Sequence, residues 1–209
     1  MEIRFEDPEG PADALGFHAD RAAADHVNES GSALRIFLAA GYATFAIQQR
    51  KDVVTVGDFG CGTGGFLMCL RALTRTTLPD RPLRFWGYDA CPANIEVAQR
   101  RGLQVALLDF TTDDKVLWPD CMIMTEVLEH LREPRAFLKS IPPQTVIVAT
   151  SPATEHERHH DPTHVWSWTD DSFREMFEEC DFYVECCHRM RDQFHALIGR
   201  KRENREDGE

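Results

Sequence analysis

Five short apolar runs punctuate this chain, and the first three of them close on an acidic residue: VVTVGDFG from Val53 on Asp58, LRFWGYDA on Asp89, and LQVALLDF on Asp109. PDCMIMTEV and QTVIVATSP are the fourth and fifth. The runs are too short for helices and too apolar for strands wetted on one face, so they read as strands buried on both sides of a sheet. Helical patterns separate them: GGFLMCLRALTR, CPANIEVAQRRG with Gly102 as a C-terminal stop, and VLEHLREPRAFLKSI, broken near Pro134. Alternation of this kind predicts an α/β fold, a mostly parallel sheet with helices on both faces. Upstream, the block from about Ala22 to Gln49 is helical in pattern. Downstream, TDDSFREMFEEC reads as a helix, and FYVECCHRM and QFHALIGRKR read as an antiparallel pair at the sheet's edge.

Open α/β sheets bind ligands beyond the carboxyl ends of their strands, so the residues at those ends carry the functional argument. The first strand runs into Gly60-Cys61-Gly62-Thr63-Gly64-Gly65. Glycines there permit a tight turn and let backbone N–H groups come close to a ligand. Asp89, about 30 residues past the loop, can accept hydrogen bonds from ribose hydroxyls. Asp109 beside Phe110 can hold an adenine by hydrogen bond and stacking. The plain structural alternative makes Asp89 and Asp109 ordinary helix N-caps. Gly60, Gly62 and Gly65 formally satisfy the dinucleotide GxGxxG spacing, which keeps an oxidoreductase in view. No GxxxxGK[ST] phosphate loop is present, which argues against an ATPase.

Glu126, Glu129 and His130 follow the fourth strand. If that segment is helical, positions i, i+3 and i+4 share one face, with Val127, Leu128 and Leu131 turned to the core. Two carboxylates and an imidazole can bind a divalent metal or move protons. A second cluster, EHERHHDPTH, follows the fifth strand and should hang over the same cleft. His156, His159 and His160 read as members of a solvated loop. His164, in DPTHVWSWT, is the best single candidate for a base or a further metal ligand. Trp166 and Trp168 either wall an apolar substrate or belong to the core.

These motifs together, DFGCGTGG, GYDA, LDF and MTEVLEHL, resemble the class I S-adenosylmethionine-dependent methyltransferases over roughly residues 50–190. The resemblance implies a Rossmann-like three-layer sandwich with a seven-stranded sheet whose last strand is antiparallel. It implies that Asp58 with Gly60, Cys61, Gly62 and Gly64 holds the amino-acid end of S-adenosylmethionine. Asp89 with Ala90 would take the ribose, Asp109 with Phe110 the adenine, and Glu126 would border the same ligand. ExxEH followed by HxWxWT also resembles the metal-dependent methyltransferases that modify the 2′-hydroxyl at RNA 3′ ends. That likeness implies Glu126, Glu129, His130 and His164 as ligands of Mg or Mn. Ubiquinone-pathway O-methyltransferases carry a similar acid–histidine helix, so the cluster alone does not choose the acceptor.

The expected activity is methyl transfer to an oxygen of a small-molecule acceptor, with His164, His130 and Glu126 as catalytic candidates. RNA 3′-end 2′-O-methylation ranks second and a non-catalytic cofactor-binding module third. A formal net charge of −12 and the lack of a basic stripe weigh against nucleic acid as the partner. Seven cysteines, an odd number without a CxxC pair, fit neither a zinc ribbon nor a disulfide framework. The acidic N-terminus lacks the apolar core of a signal peptide and no run approaches a membrane span, so a cytoplasmic protein without a membrane partner is expected. Residues 1–20 read as an N-terminal arm, 21–202 as the methyltransferase domain, and 203–209 as a charged, disordered tail.

Overall fold

Side-chain alternation along the central strands decides how the layers form. The computed structural model describes residues 2–5, 30–153, 161, 163–190 and 194–203. In β5 (Cys121–Thr125) and β6 (Val146–Pro152), Cys121, Ile123, Val146 and Val148 point to one face of the sheet, and Met122, Met124, Ile147 and Ala149 to the other. Period-two alternation with both sets apolar demands a cover on each side. On the first face, α1 (Ser30–Gln48) supplies Ala39, Ala40, Ala43, Ala46 and Ile47, and α2 (Gly65–Thr77) supplies Phe66 and Leu70. On the second, α4 (Pro134–Ser140) supplies Phe137 and Leu138, and α5 (Asp170–Glu178) supplies Phe173, Met176 and Phe177. The alanine stripe of α1 lets that helix lie close to the sheet.

The main sheet has seven strands in the order β4-β3-β2-β5-β6-β9-β8. These are β2 (Thr55–Phe59), β3 (Arg84–Asp89), β4 (Val105–Leu107), β5, β6, β8 (Phe182–Met190) and β9 (Phe194–Lys201). β9 is inserted between β6 and β8 and runs antiparallel to both, opposite to the rest of the sheet. The Rossmann-like sandwich with an antiparallel last strand is therefore what the chain forms. Strand order reverses between β2 and β5, and both of them end at the same crevice. α3 (Pro92–Arg100) follows β3, with Pro92 in its first turn, where a missing N–H costs nothing. Thr169 caps α5 through a reciprocal box with Ser172.

Three local readings differ from the structure. The segment after β5 is not a helix: Glu126 sits at φ +56°, Leu128–His130 form one 3-10 turn, and α4 begins only at Pro134. Proline disfavours helical backbone at the residue before it, and Glu133 is accordingly at φ −129°. Too few residues remain between the strand and that break for an α-helix, so the shared-face argument for Glu126, Glu129 and His130 does not hold. Trp166–Trp168, which the sequence did not mark as a strand, form strand β7, which pairs antiparallel with β1 (Glu2–Arg4). The start of the chain, expected as a flexible or loosely docked arm, is thus docked through residues 2–5: Phe5 is buried, and Arg135 grips both oxygens of Glu2 at 2.7 Å. The rest of the predicted arm, His156, His159 and His160, and residues 204–209 lie outside the described residues. Glu203 at the start of the predicted tail accepts a hydrogen bond from Gln144.

Candidate functional site

The turn after β2 is built around two glycines that no other residue can replace. Gly60 has φ +79°, and a Cβ there would lie 2.4 Å from Val127 Cγ2. Gly64 has φ +83°, and its Cβ would meet Leu103 Cδ1 at 2.1 Å. Positive φ alone costs an L-residue about 1–2 kcal/mol, and the steric overlap adds to it. Gly62, between them, would carry a Cβ into open space. Gly60→Ala is therefore expected to lower stability by about 2–4 kcal/mol and to distort the loop. Thermal unfolding together with calorimetric titration of S-adenosylhomocysteine checks both effects.

The loop is held from the neighbouring strand. Gly60 and Cys61 donate their backbone N–H to the Tyr88 carbonyl at 2.8 and 2.9 Å. Gly62 N–H donates to Asp89 Oδ2 at 2.8 Å. Asp89 Oδ1 accepts from Cys91 N–H at 2.8 Å and Asn94 Nδ2 at 3.1 Å, which ties the first turn of α3 to the same carboxylate. Asp89 thus serves helix and loop together.

Asp58 lies beneath the loop, fully buried, and among the described residues neither of its oxygens meets a hydrogen-bond donor. Burial first, and then the nearby Asp89 carboxylate, push its pKa up to about 8. Burial and the same two carboxylates also push the Cys61 thiol up, so Cys61 stays a neutral thiol. Asp109 is exposed and forms a turn with Thr111, whose N–H and hydroxyl donate to Oδ1 at 3.0 and 2.5 Å. Phe110 is mostly buried, edge-on to Phe59 at 5.2 Å.

A cleft of about 1060 Å³ opens over these strand ends. Of the residues singled out in the sequence, Gly60, Cys61, Gly62, Asp89, Ala90, Asp109, Phe110, Glu126, His130 and His164 line it. Asp58, Gly64 and Glu129 lie behind the wall, and neither Trp166 nor Trp168 reaches the cleft. Trp168 is core, and Trp166 carries the Arg4 guanidinium over its ring at 5.2 Å.

At one end of the cleft, Glu129, His130 and His164 converge, and one ligand-type atom from each lies within 4.8 Å of the others. Glu129 is fully buried and His164 nearly so; the two imidazoles meet edge to face at 4.6 Å. Their backbones are tied together: Val165 N–H donates to the Glu129 carbonyl at 2.7 Å, and His164 N–H to the Asp161 carbonyl at 3.0 Å. His130 Nδ1 lies 3.2 Å from the Thr163 carbonyl, which can only accept. That contact favours a proton on Nδ1 and leaves the Nε2 lone pair for a cation or a proton. Burial would raise the Asp161 carboxyl, but two hydrogen bonds from Thr163 and the nearby His164 and His130 outweigh it and lower the pKa.

Glu126 stands apart from this trio. Its Oε2 pairs with Arg35 at 2.9 Å, and its Oε1 accepts from Thr150 at 3.0 Å. Sequence reasoning passed over Arg35. The only available signal was a single cation inside the apolar run LRIFLAAG, easily taken for a solvated position.

A family model described as a methyltransferase domain matches residues 31–186, three quarters of the chain. The chain belongs to the class I S-adenosylmethionine-dependent methyltransferases. Solved structures of similar fold include a Haloferax volcanii chain in complex with the Trm112 methyltransferase activator (TM-score 0.68, 18% identity, 90% of this chain and 99% of that one). Human N-acetylserotonin methyltransferase, solved with S-adenosylmethionine, aligns at TM-score 0.64 and 14% identity over 96% of this chain and 63% of that one. The plantazolicin methyltransferase BpumL, in complex with S-adenosylhomocysteine, aligns at TM-score 0.61 and 12% identity over 91% and 99%. At such identities the likeness is one of fold. No curated protein matches this methyltransferase. No helix among its described residues is long and apolar enough to cross a membrane.

Proposed function

We propose that this methyltransferase acts on a hydroxyl group of a small-molecule acceptor, and that Glu129, His130 and His164 hold a divalent cation beside it. The convergence of two imidazoles on the cleft wall with one carboxylate buried behind it carries this reading. Two nitrogens and an oxygen suit first-row divalent metals, and the Thr163 carbonyl beside His130 Nδ1 favours the tautomer with its lone pair on Nε2. When bound, the cation lowers the pKa of a hydroxyl close to it. With their lone pairs on the cation, His130 and His164 would orient the acceptor, and the hydroxyl of lowered pKa would give its proton to water.

S-adenosylmethionine supplies a methyl group on a positively charged sulfur, ready for in-line displacement. Its adenosine fits the strand ends on three grounds. Asp89 accepts three hydrogen bonds and a carboxylate offers about four lone-pair sites, so one remains for a ribose hydroxyl. Gly62 leaves room beside it, and Phe110 offers an aromatic edge. The loop from Gly60 to Thr63 faces the amino-acid end, with Asp58 buried beneath it. We place the enzyme in the cytosol, where its seven free thiols stay reduced.

The test is transfer from methyl-labelled S-adenosylmethionine to panels of hydroxyl, amine and thiol acceptors. Label is expected on hydroxyls alone, abolished by a chelator and restored by Mn²⁺. Transfer confined to amines or thiols, or indifference to the chelator, overturns the assignment. A second reading is the 2′-hydroxyl at an RNA 3′ end, favoured because three of the four residues expected for that chemistry converge here. A short RNA should then accept the methyl while the same RNA with a 2′-deoxy terminus should not.

A further inference from the structure

Glu126 lines the cleft together with His130 and His164, and its carboxylate is engaged by Arg35. Arg35 reaches from α1 to Glu126 Oε2 at 2.9 Å, while Thr150 holds the other oxygen. Both side chains are largely shielded from solvent, at 33% and 15% exposed. The pair sits on the cleft wall that also carries Gly60, Gly62, His130 and His164. A guanidinium does not lose its charge in a protein. Glu126 can therefore leave this contact readily only if another anion takes its place. Among the described residues, the other arginine on the cleft wall is Arg132, which is exposed. The cofactor carries one carboxylate, at its amino-acid end, and Arg35 stands on the wall shared with the glycine loop.

We propose that Arg35 is a positioning residue that couples the two ligands of this enzyme. It holds Glu126 away from Glu129, His130 and His164 until the cofactor's carboxylate engages its guanidinium. Glu126 then turns to the trio as a fourth ligand for the cation. The inference rests on the cation reading above. Two consequences follow from thermodynamic linkage. The cofactor tightens the cation, and the cation tightens the cofactor by the same factor. Removing Arg35 also has an unusual sign: in cofactor-free protein it frees Glu126 and takes away a repelling charge, so cation affinity rises. Simple structural damage would lower it.

The experiment is Mn²⁺ titration of the full chain, followed by electron paramagnetic resonance. It is run without a second ligand, with S-adenosylhomocysteine, and with the decarboxylated counterpart of that compound. In the native protein, S-adenosylhomocysteine should tighten Mn²⁺ by about ten-fold, and the decarboxylated compound should leave it unchanged. Arg35→Met should bind Mn²⁺ alone as tightly as the native protein does with S-adenosylhomocysteine, with no further gain on adding it. Arg35→Lys, which keeps the charge, should retain part of the coupling. Equal Mn²⁺ affinity with and without S-adenosylhomocysteine overturns the proposal and leaves the cation site standing. Coupling that survives in Arg35→Met, or that the decarboxylated compound reproduces, also overturns it. Absence of Mn²⁺ binding under every condition removes the cation site and this proposal together.

Discussion

His164→Ala is expected to lower turnover by about 10²–10⁴-fold while leaving the affinity for S-adenosylhomocysteine, measured without a divalent cation, essentially unchanged. The two halves of this expectation come from different parts of the cleft. The glycine loop and Asp89 are braced by Tyr88, Cys91 and Asn94, none of which touches His164 through a described hydrogen bond. His164 stands with His130 and Glu129 at the other end, its backbone fixed by Asp161 and by the adjoining Val165–Glu129 bond. Removing its ring takes away a group that can accept a proton or hold a cation, and leaves the loop intact. Single-turnover kinetics with labelled cofactor, beside calorimetry with S-adenosylhomocysteine, separates the two quantities. Unchanged turnover would remove His164 from the chemistry.

Asp58→Asn should make the cofactor-free protein more stable at pH 8 by several kcal/mol and change little near pH 4. Unfolded, the Asp58 carboxyl releases its proton near pH 3.8; folded, burial and Asp89 raise that point to about 8. Between those values the folded state keeps a proton that the unfolded state has lost. The native protein is therefore stabilised least above pH 8 and most below pH 4, as far as this group is concerned. Asparagine has nearly the same shape as the neutral acid and never ionises, so the variant's stability should be flat across the window. Melting temperature against pH for the two proteins reads the difference directly. Parallel curves would show that Asp58 is already ionised when folded. A buried acid retained at such a cost, beneath a ligand-binding loop, is the usual mark of function placed above stability.

The fold was legible because its signals are local. Each strand from β2 to β6 is an apolar run stopped by an acid, a glycine or a proline, and such punctuation is written in neighbouring residues. Glu129, His130 and His164 span 35 residues of chain; the residues themselves marked each as a candidate, but only the resemblance joined them into one ligand set. Geometry reasoned from the sequence put Glu126 with them through a helix that Pro134 and the left-handed backbone at Glu126 do not allow. β1 and β7 are three residues each, too short to display a period. Arg35 was missed because a lone cation in an apolar helix has no local mark of its partner, 91 residues away.

The placement of β9 has a consequence for how the chain comes into being. Residues 194–201 follow in the chain both of the strands they join, and so fill a slot between β6 and β8 that opens before they are made. Until then β6 presents a row of unanswered amides and carbonyls, a template for pairing with another nascent chain. A chain halted between β8 and β9 would carry its sheet split open, and chaperone dependence should be concentrated in that interval.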